Sequence, residues 1–177
     1  MVESVGHDVA ADLQVCEFDP RRSKKSFRRS PRLKGFDYSG PLTAHLVMVT
    51  RGRLPIFQDP DCALIALDKL EFACAKFAAT LHAHCLMPDH AHILVSVSEG
   101  VSLQGFVKSF KQTSGFELKK KLGREAWQIS YHDHILRREE AMEDVAACIW
   151  NNPVDEDIVD SPLDYSLSGP RHLMDDR

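Results

Sequence analysis

The sequence predicts an α+β domain of the ferredoxin-like, split βαβ type, an antiparallel sheet with helices on one face plus an additional C-terminal helix. Three observations lead there. The hydrophobic period switches between about 2 and about 3.6 residues in the order β-α-β-β-α-β-α. Two of the strands are separated only by the breaker Met87-Pro88-Asp89 and so read as a hairpin. The 177 residues, 44% of them hydrophobic, suffice for one domain with a real core and are too few for two.

Residues 1–40 have no sustained hydrophobic period and are expected to be a flexible basic arm before a domain over 41–161. Leu42 to Thr50, rich in β-branched and apolar residues and closed by Arg51-Gly52-Arg53, is the first strand. Asp59-Pro60 starts a helix in which Leu64, Leu67, Leu70, Cys74, Phe77 and Ala78 recur at helical spacing. Leu81 to Leu86 and His90 to Val97 alternate as the hairpin strands. Ser102 caps a second helix with Leu103, Phe106, Val107 and Phe110 on its apolar side, stopped at Gly123. A strand is expected from Trp127 to Leu136. A third helix starts near Arg138 or Glu139, buries Met142, Val145, Ala146 and Ile149, and ends at Pro153. From Pro162 onward Pro, Ser, Asp and Gly dominate, so 162–177 is expected to be a poorly ordered tail.

The net charge of -4 hides an asymmetry, because Arg21, Arg22, Lys24, Lys25, Arg28, Arg29, Arg32 and Lys34 fall in one short stretch and leave the body acidic. Such an arm suits a phosphate backbone, and equally a solvated segment. Cys16, Cys62, Cys74, Cys85 and Cys148 are an odd set with no C-x-x-C pair, so reduced thiols are expected rather than a disulfide framework or a zinc knuckle. No apolar run is long enough to cross a bilayer and no secretory h-region opens the chain. A cytoplasmic protein with no membrane partner is the expectation.

Strand alternation from His90 to Val97 sends His90, His92, Leu94 and Ser96 to one face and Ala91, Ile93, Val95 and Val97 to the other. The apolar set must meet the helices, which leaves two imidazoles side by side on the open face, spaced to reach one divalent ion. The spacing alone serves plain surface residues as well, and His82-x-His84 and His132-x-His134 repeat it. Zinc would want three or four ligands, and no Cys or carboxylate has an obvious partner spacing.

The segment HCLMPDHAHILVSV, His84 to Val97, resembles the Met-Pro-[Asn/Asp]-His-x-His signature of the REP-associated tyrosine transposases, HUH-class single-strand-DNA transposases related to those of the smallest bacterial insertion sequences. RSPRLKGFDYSGP, VSLQGFVKSFKQTSGFELKKKLGREAWQISYHDHILRREE, NNPV and DYSLSG look like the family's further blocks in the right order, so the resemblance covers Arg29 to about Gly169. It implies a metal-dependent nuclease and strand transferase acting in DNA transposition on single-stranded DNA, often hairpin ends. His90 and His92 would hold Mg²⁺ or Mn²⁺. A tyrosine on the last helix attacks the scissile phosphate, giving a 5′-phosphotyrosine link and a free 3′-hydroxyl; bond energy is conserved, so no nucleotide cofactor is needed.

Members carry that tyrosine five residues before the proline of Asn-Pro, and CIWNNPV places Cys148 there. Asn152, four residues on and one helical turn away on the same face, matches the family's third metal ligand; it also reads as a helix C-terminal residue before proline. A cysteine reaches several ångströms less than a phenol, and misplacement of that size defeats in-line attack. Tyr131, in WQISYHDH, is a substitute nucleophile by chemistry, but it lies in a block that reads as a structural strand. After Asn-Pro-Val the family runs Arg-Ala-Gly-Leu-Val, whereas this chain has Asp155, Glu156, Asp157, Ile158 and Val159, acid where base is usual. Lys108, Lys111, Lys119, Lys120, Lys121 and Arg124 are candidate phosphate contacts or a solvated helix face; Trp127 suits the core better than base stacking. The expectation is therefore a transposase-type protein, monomer or homodimer, that binds single-stranded or hairpin DNA, with a non-cleaving DNA-binding descendant as the alternative. Aromatic pairs suited to RNA are missing from the central strands.

Overall fold

The computed structural model describes residues 41–137 and 140–174; the basic arm and the helix start expected at Arg138 or Glu139 lie outside the described residues. The chain runs β1 (Leu42–Val49), α1 (Pro60–Phe77), β2 (Thr80–Met87), β3 (His90–Val97), α2 (Leu103–Leu122), β4 (His132–Ile135), α3 (Met142–Asp155), β5 (Ser168–Gly169) and α4 (Arg171–Met174). The sheet is antiparallel with strand order β4-β1-β3-β2-β5. Its first four members are the split βαβ arrangement the sequence predicts, with β5 added at the β2 edge.

Local chemistry sets the helix ends. The Asp59 carboxylate accepts the Asp61 N–H at 2.9 Å, and Pro60 opens α1 where its missing N–H costs nothing. Ser102 Oγ accepts the Gly105 N–H at 3.0 Å at the start of α2, and Gly123, at φ 69°, closes it by donating to the Lys119 carbonyl.

Helices α1 and α2 cover one sheet face, burying Ala44, Leu46, Met48, Ala91, Ile93, Val95 and Val97. The α1 face in that core is Cys62, Ala63, Ala66, Leu70 and Ala73, a stripe of small side chains that lets the helix lie close to the sheet. Leu64, expected on the buried stripe, is consequently turned out and 63% exposed.

The other face, expected to be open, is covered. Val145, Ala146, Ile149 and Trp150 of α3 rest on Ala83, Cys85, Met87 and Leu94. Residues 162–174, expected to be poorly ordered, hold α3 there. Trp150 Nε1 donates to the Gly169 carbonyl at 2.9 Å, the Tyr165 hydroxyl donates to the Leu86 carbonyl at 2.8 Å, and Met174 joins the α3 core. The sparse apolar residues of this segment therefore find partners that its Pro- and Asp-rich composition does not announce.

Two further elements depart from expectation. Helix α3 passes through Pro153 to Asp155 rather than ending at the proline. Proline has no N–H to give the Ile149 carbonyl, but Asn152 Nδ2 donates there at 3.1 Å and to the Cys148 carbonyl at 2.9 Å, so the turn survives. The strand expected from Trp127 to Leu136 shrinks to His132–Ile135, with Trp127 alone bridging Thr50. Lys111 Nζ instead gathers the carbonyls of Gln128, Ile129 and Ser130 at 2.5, 3.0 and 3.4 Å, and burial lowers its pKa to about 8.

Trp127 is a core residue, as its size suggests, and Ser114 is what allows its indole N–H to be buried. The Ser114 hydroxyl accepts from Trp127 Nε1 at 3.0 Å and donates to the Phe110 carbonyl at 2.6 Å. Ser114→Ala leaves that donor unpaired in the interior and should lower unfolding free energy by about 1–3 kcal/mol. Urea unfolding followed by tryptophan fluorescence measures it; an unchanged midpoint would mean that the hydroxyl is dispensable.

Candidate metal centre and active face

On the α3 side of β3 the register puts His90 beside Met87 and Val49, and His92 beside Cys85 and Val47. The predicted alternation holds: the two imidazoles share a face, with ring centroids 4.9 Å apart. They are not surface residues. Each is 2% exposed, because α3 and the neighbouring side chains close over them.

Each ring uses Nδ1 within the protein and leaves Nε2 free. His90 Nδ1 donates to Asp89 Oδ1 at 2.5 Å, and since a carboxylate only accepts, the hydrogen must sit on Nδ1. His92 Nδ1 lies 3.0 Å from His45 Nε2 across the β1–β3 pair, the two rings stacking at 25° with centroids 5.3 Å apart. His90 Nε2 and His92 Nε2 are both buried without a hydrogen-bond partner. Two adjacent orphaned nitrogens in an interior normally demand a ligand.

Electrostatics favour lone pairs over charge here. Burial, with His132 and His134 nearby, lowers the His45 pKa to about 3. His92 is likewise held well below the usual range by burial and by His45 and His90. Burial works to raise the Asp89 carboxyl, but the hydrogen bond from His90, with the Arg53 guanidinium beside it, outweighs this and holds it low. Arg53 Nη1 reaches Asp89 Oδ2 at 3.2 Å, so Asp89 joins the Arg51–Arg53 turn to the histidine pair.

Asn152 stands on α3 with Nδ2 spent on its own helix, while Oδ1 has no partner among the described residues. Among the described residues no third His, Cys, Asp or Glu joins a metal-holding group. Two imidazoles are therefore the donors that the structure brings side by side, and the Asn152 amide oxygen on α3 is the third donor that the resemblance implies.

Cys148, expected as a reduced thiol, is instead disulfide-bonded, whereas Cys62, Cys74 and Cys85 are free; it is half-buried and borders a groove of about 460 Å³ between α3 and the C-terminal segment. Tyr131 packs against the α1–α2 core, on the sheet face opposite the histidine pair, with Lys111 Nζ 5.9 Å from its ring centroid. The candidate phosphate contacts lie on α2 or just beyond it. Lys119 pairs with Glu125, Lys120 with Glu117, and Lys121 with Asp59 and Asp61; Lys111 is the carbonyl clasp. Lys108 and Arg124 are exposed and make no ion pair among the described residues. Sequence reasoning missed His45, Asp89 and Arg53. Only the pairing register reveals His45, since nothing local separates it from any other polar residue on a strand.

A ferredoxin-type sheet with a His-x-His pair on its central strand and a further helix packed over that face is the architecture of an HUH-type transposase. The chain belongs to the IS200-like transposase family, whose model matches residues 39–150. The REP-associated tyrosine transposase solved bound to a REP hairpin has the same fold: TM-score 0.66, 17% identity, covering 84% of each chain. A Deinococcus radiodurans R1 protein assigned as a transposase matches with 23% identity over 59% of this chain and 84% of its own, TM-score 0.49. No curated protein sequence matches the chain. No helix among the described residues is long and apolar enough to cross a membrane.

The buried neutral histidines set an acid limit. His84, on β2, is also held down, to about 4, by burial and by Arg171. A folded pKa below the unfolded value near 6.5 means that the unfolded chain binds the extra proton between those values, so stability falls as pH drops from about 6.5 toward 4. Each such histidine contributes a slope of about 1.4 kcal/mol per pH unit in that window. His84→Gln should flatten the stability–pH curve by about one proton while leaving its shape above pH 7 unchanged. Urea unfolding at stepped pH reads this, and an unaltered acid slope would refute it.

Proposed function

We propose that this chain is a transposase-type protein that binds single-stranded or hairpin DNA on the His90–His92 face and holds a divalent cation there. The observation that carries this reading is the pair of buried, unpartnered Nε2 atoms side by side on one strand. His90, His92 and the Oδ1 of Asn152 would be the ligands. When bound, Mg²⁺ or Mn²⁺ polarises the scissile phosphate. Asp89 orients His90, and Arg53 balances the Asp89 charge. Exposed Arg51 and Arg124 flank the same end of the sheet, since the Arg51 N–H donates to the Ala126 carbonyl, and are offered as further phosphate contacts beside Lys108.

One specific observation favours binding without efficient cleavage. Family chemistry needs a phenol on α3 five residues before Pro153, and that position is Cys148. Its sulfur sits one bond from Cβ, too short to reach the in-line position a tyrosine oxygen takes from the same backbone. Tyr131 does not substitute, because it packs on the other sheet face. The acidic Asp155, Glu156 and Asp157 after the helix turn would further repel a phosphate path along that end.

Incubation with single-stranded hairpin DNA and Mn²⁺, followed by denaturing electrophoresis, tests this. The unmodified chain should form little or no covalent adduct, Cys148→Tyr should form one, and His92→Ala in that background should abolish it. A strong adduct from the unmodified chain, lost on Cys148→Ser, would instead make the cysteine a working nucleophile. Hairpin DNA should bind better than duplex, with affinity falling steeply as salt rises and weakening on removal of residues 1–34. Salt-independent binding, or none at low ionic strength, contradicts the DNA reading.

A further inference from the structure

His45 lies on β1 opposite Leu94, two residue pairs along the ladder from Val47–His92 and on the same face, so its ring meets His92 diagonally. It is 6% exposed and stacks on His92, with Nε2 at 3.0 Å from His92 Nδ1. A neutral imidazole carries one N–H. If His92 carries it on Nε2, a donor is buried with nothing to accept it, while two acceptor nitrogens face each other at 3.0 Å unless His45 supplies the hydrogen. If His92 carries it on Nδ1, His45 Nε2 accepts it, and Nε2 of His92 becomes a bare lone pair beside that of His90.

We infer that His45 is a positioning residue that accepts the Nδ1–H of His92 and fixes the tautomer whose Nε2 is available to a divalent cation. This rests on the metal reading proposed above. Metal-binding histidines commonly donate their second N–H to a carboxylate or carbonyl, which sets ring orientation and ligand basicity. Asp89 serves His90 in that way, and His45 serves His92 with a neutral ring. The two ligands are therefore unequal: one is backed by a full negative charge, the other by a lone pair alone. His45 must itself carry its hydrogen on Nδ1 for this to hold.

Two variants separate the role from simple packing. His45→Gln keeps an acceptor at comparable reach; His45→Leu fills the space and removes it. In metal-free protein, long-range ¹H–¹⁵N spectra of the imidazoles should show His92 as the Nδ1–H form in the unmodified chain and in His45→Gln, and shifted toward Nε2–H in His45→Leu. Mn²⁺ affinity, read by electron paramagnetic resonance, should fall roughly 10–100-fold in His45→Leu. It should be largely retained in His45→Gln. An Nε2–H form of His92 in the unmodified protein overturns the inference, and this requires no variant to fold. So does His45→Leu with unchanged tautomer and affinity. Unchanged Mn²⁺ binding in His92→Ala overturns the metal reading instead, and the His92 ring spectrum then still decides the role of His45.

Discussion

Strand β3 is hydrogen-bonded on both edges and covered on both faces, so every side chain it carries must be satisfied by packing or by a designated partner. On the helix side the solution is ordinary: Ala91, Ile93, Val95 and Val97 fill the core between sheet and helices. On the other side the strand carries histidines, and the interior tolerates them only because Asp89 and His45 take one nitrogen each. The other nitrogen of each ring is left buried without a partner.

The same economy governs α3. Its apolar stripe rests on Cys85 and Met87, the cross-strand neighbours of His92 and His90, so the helix is seated directly beside the pair. Pro153 ought to break that helix. Asn152 repairs it with Nδ2, and the repair fixes the side chain so that its oxygen is turned away from the helix carbonyls. Of the two readings that the sequence leaves open for this amide, the hydrogen bonds bear out the residue that closes the turn before proline.

Much of this was legible in the residues. The period-two strand at His90–Val97, the Asp59 and Ser102 caps and the Gly123 stop are local signals, and each element formed where they point. What was illegible depends on contacts distant in sequence. Lys111 breaks a strand by drawing carbonyls from residues 17 to 19 positions away, and Tyr165 reaches back 79 positions to order a segment whose composition reads as loop. The site divides in the same way: His90 and His92 announce themselves by spacing, whereas His45 sits 47 residues from its partner and is visible only once the register is known.

The two edges of the sheet bear on how copies of the chain meet. The outer strands are short, four residues in β4 and two in β5, although the strands they flank run to eight. A neighbouring molecule that tried to extend the sheet would find only a brief row of amides and carbonyls on either outer strand, bounded by the Lys111-held loop at one and, at the other, by Gly169, where an added Cβ would collide with the His84 ring. Edge-to-edge stacking on these outer strands is thereby discouraged by geometry rather than by charge.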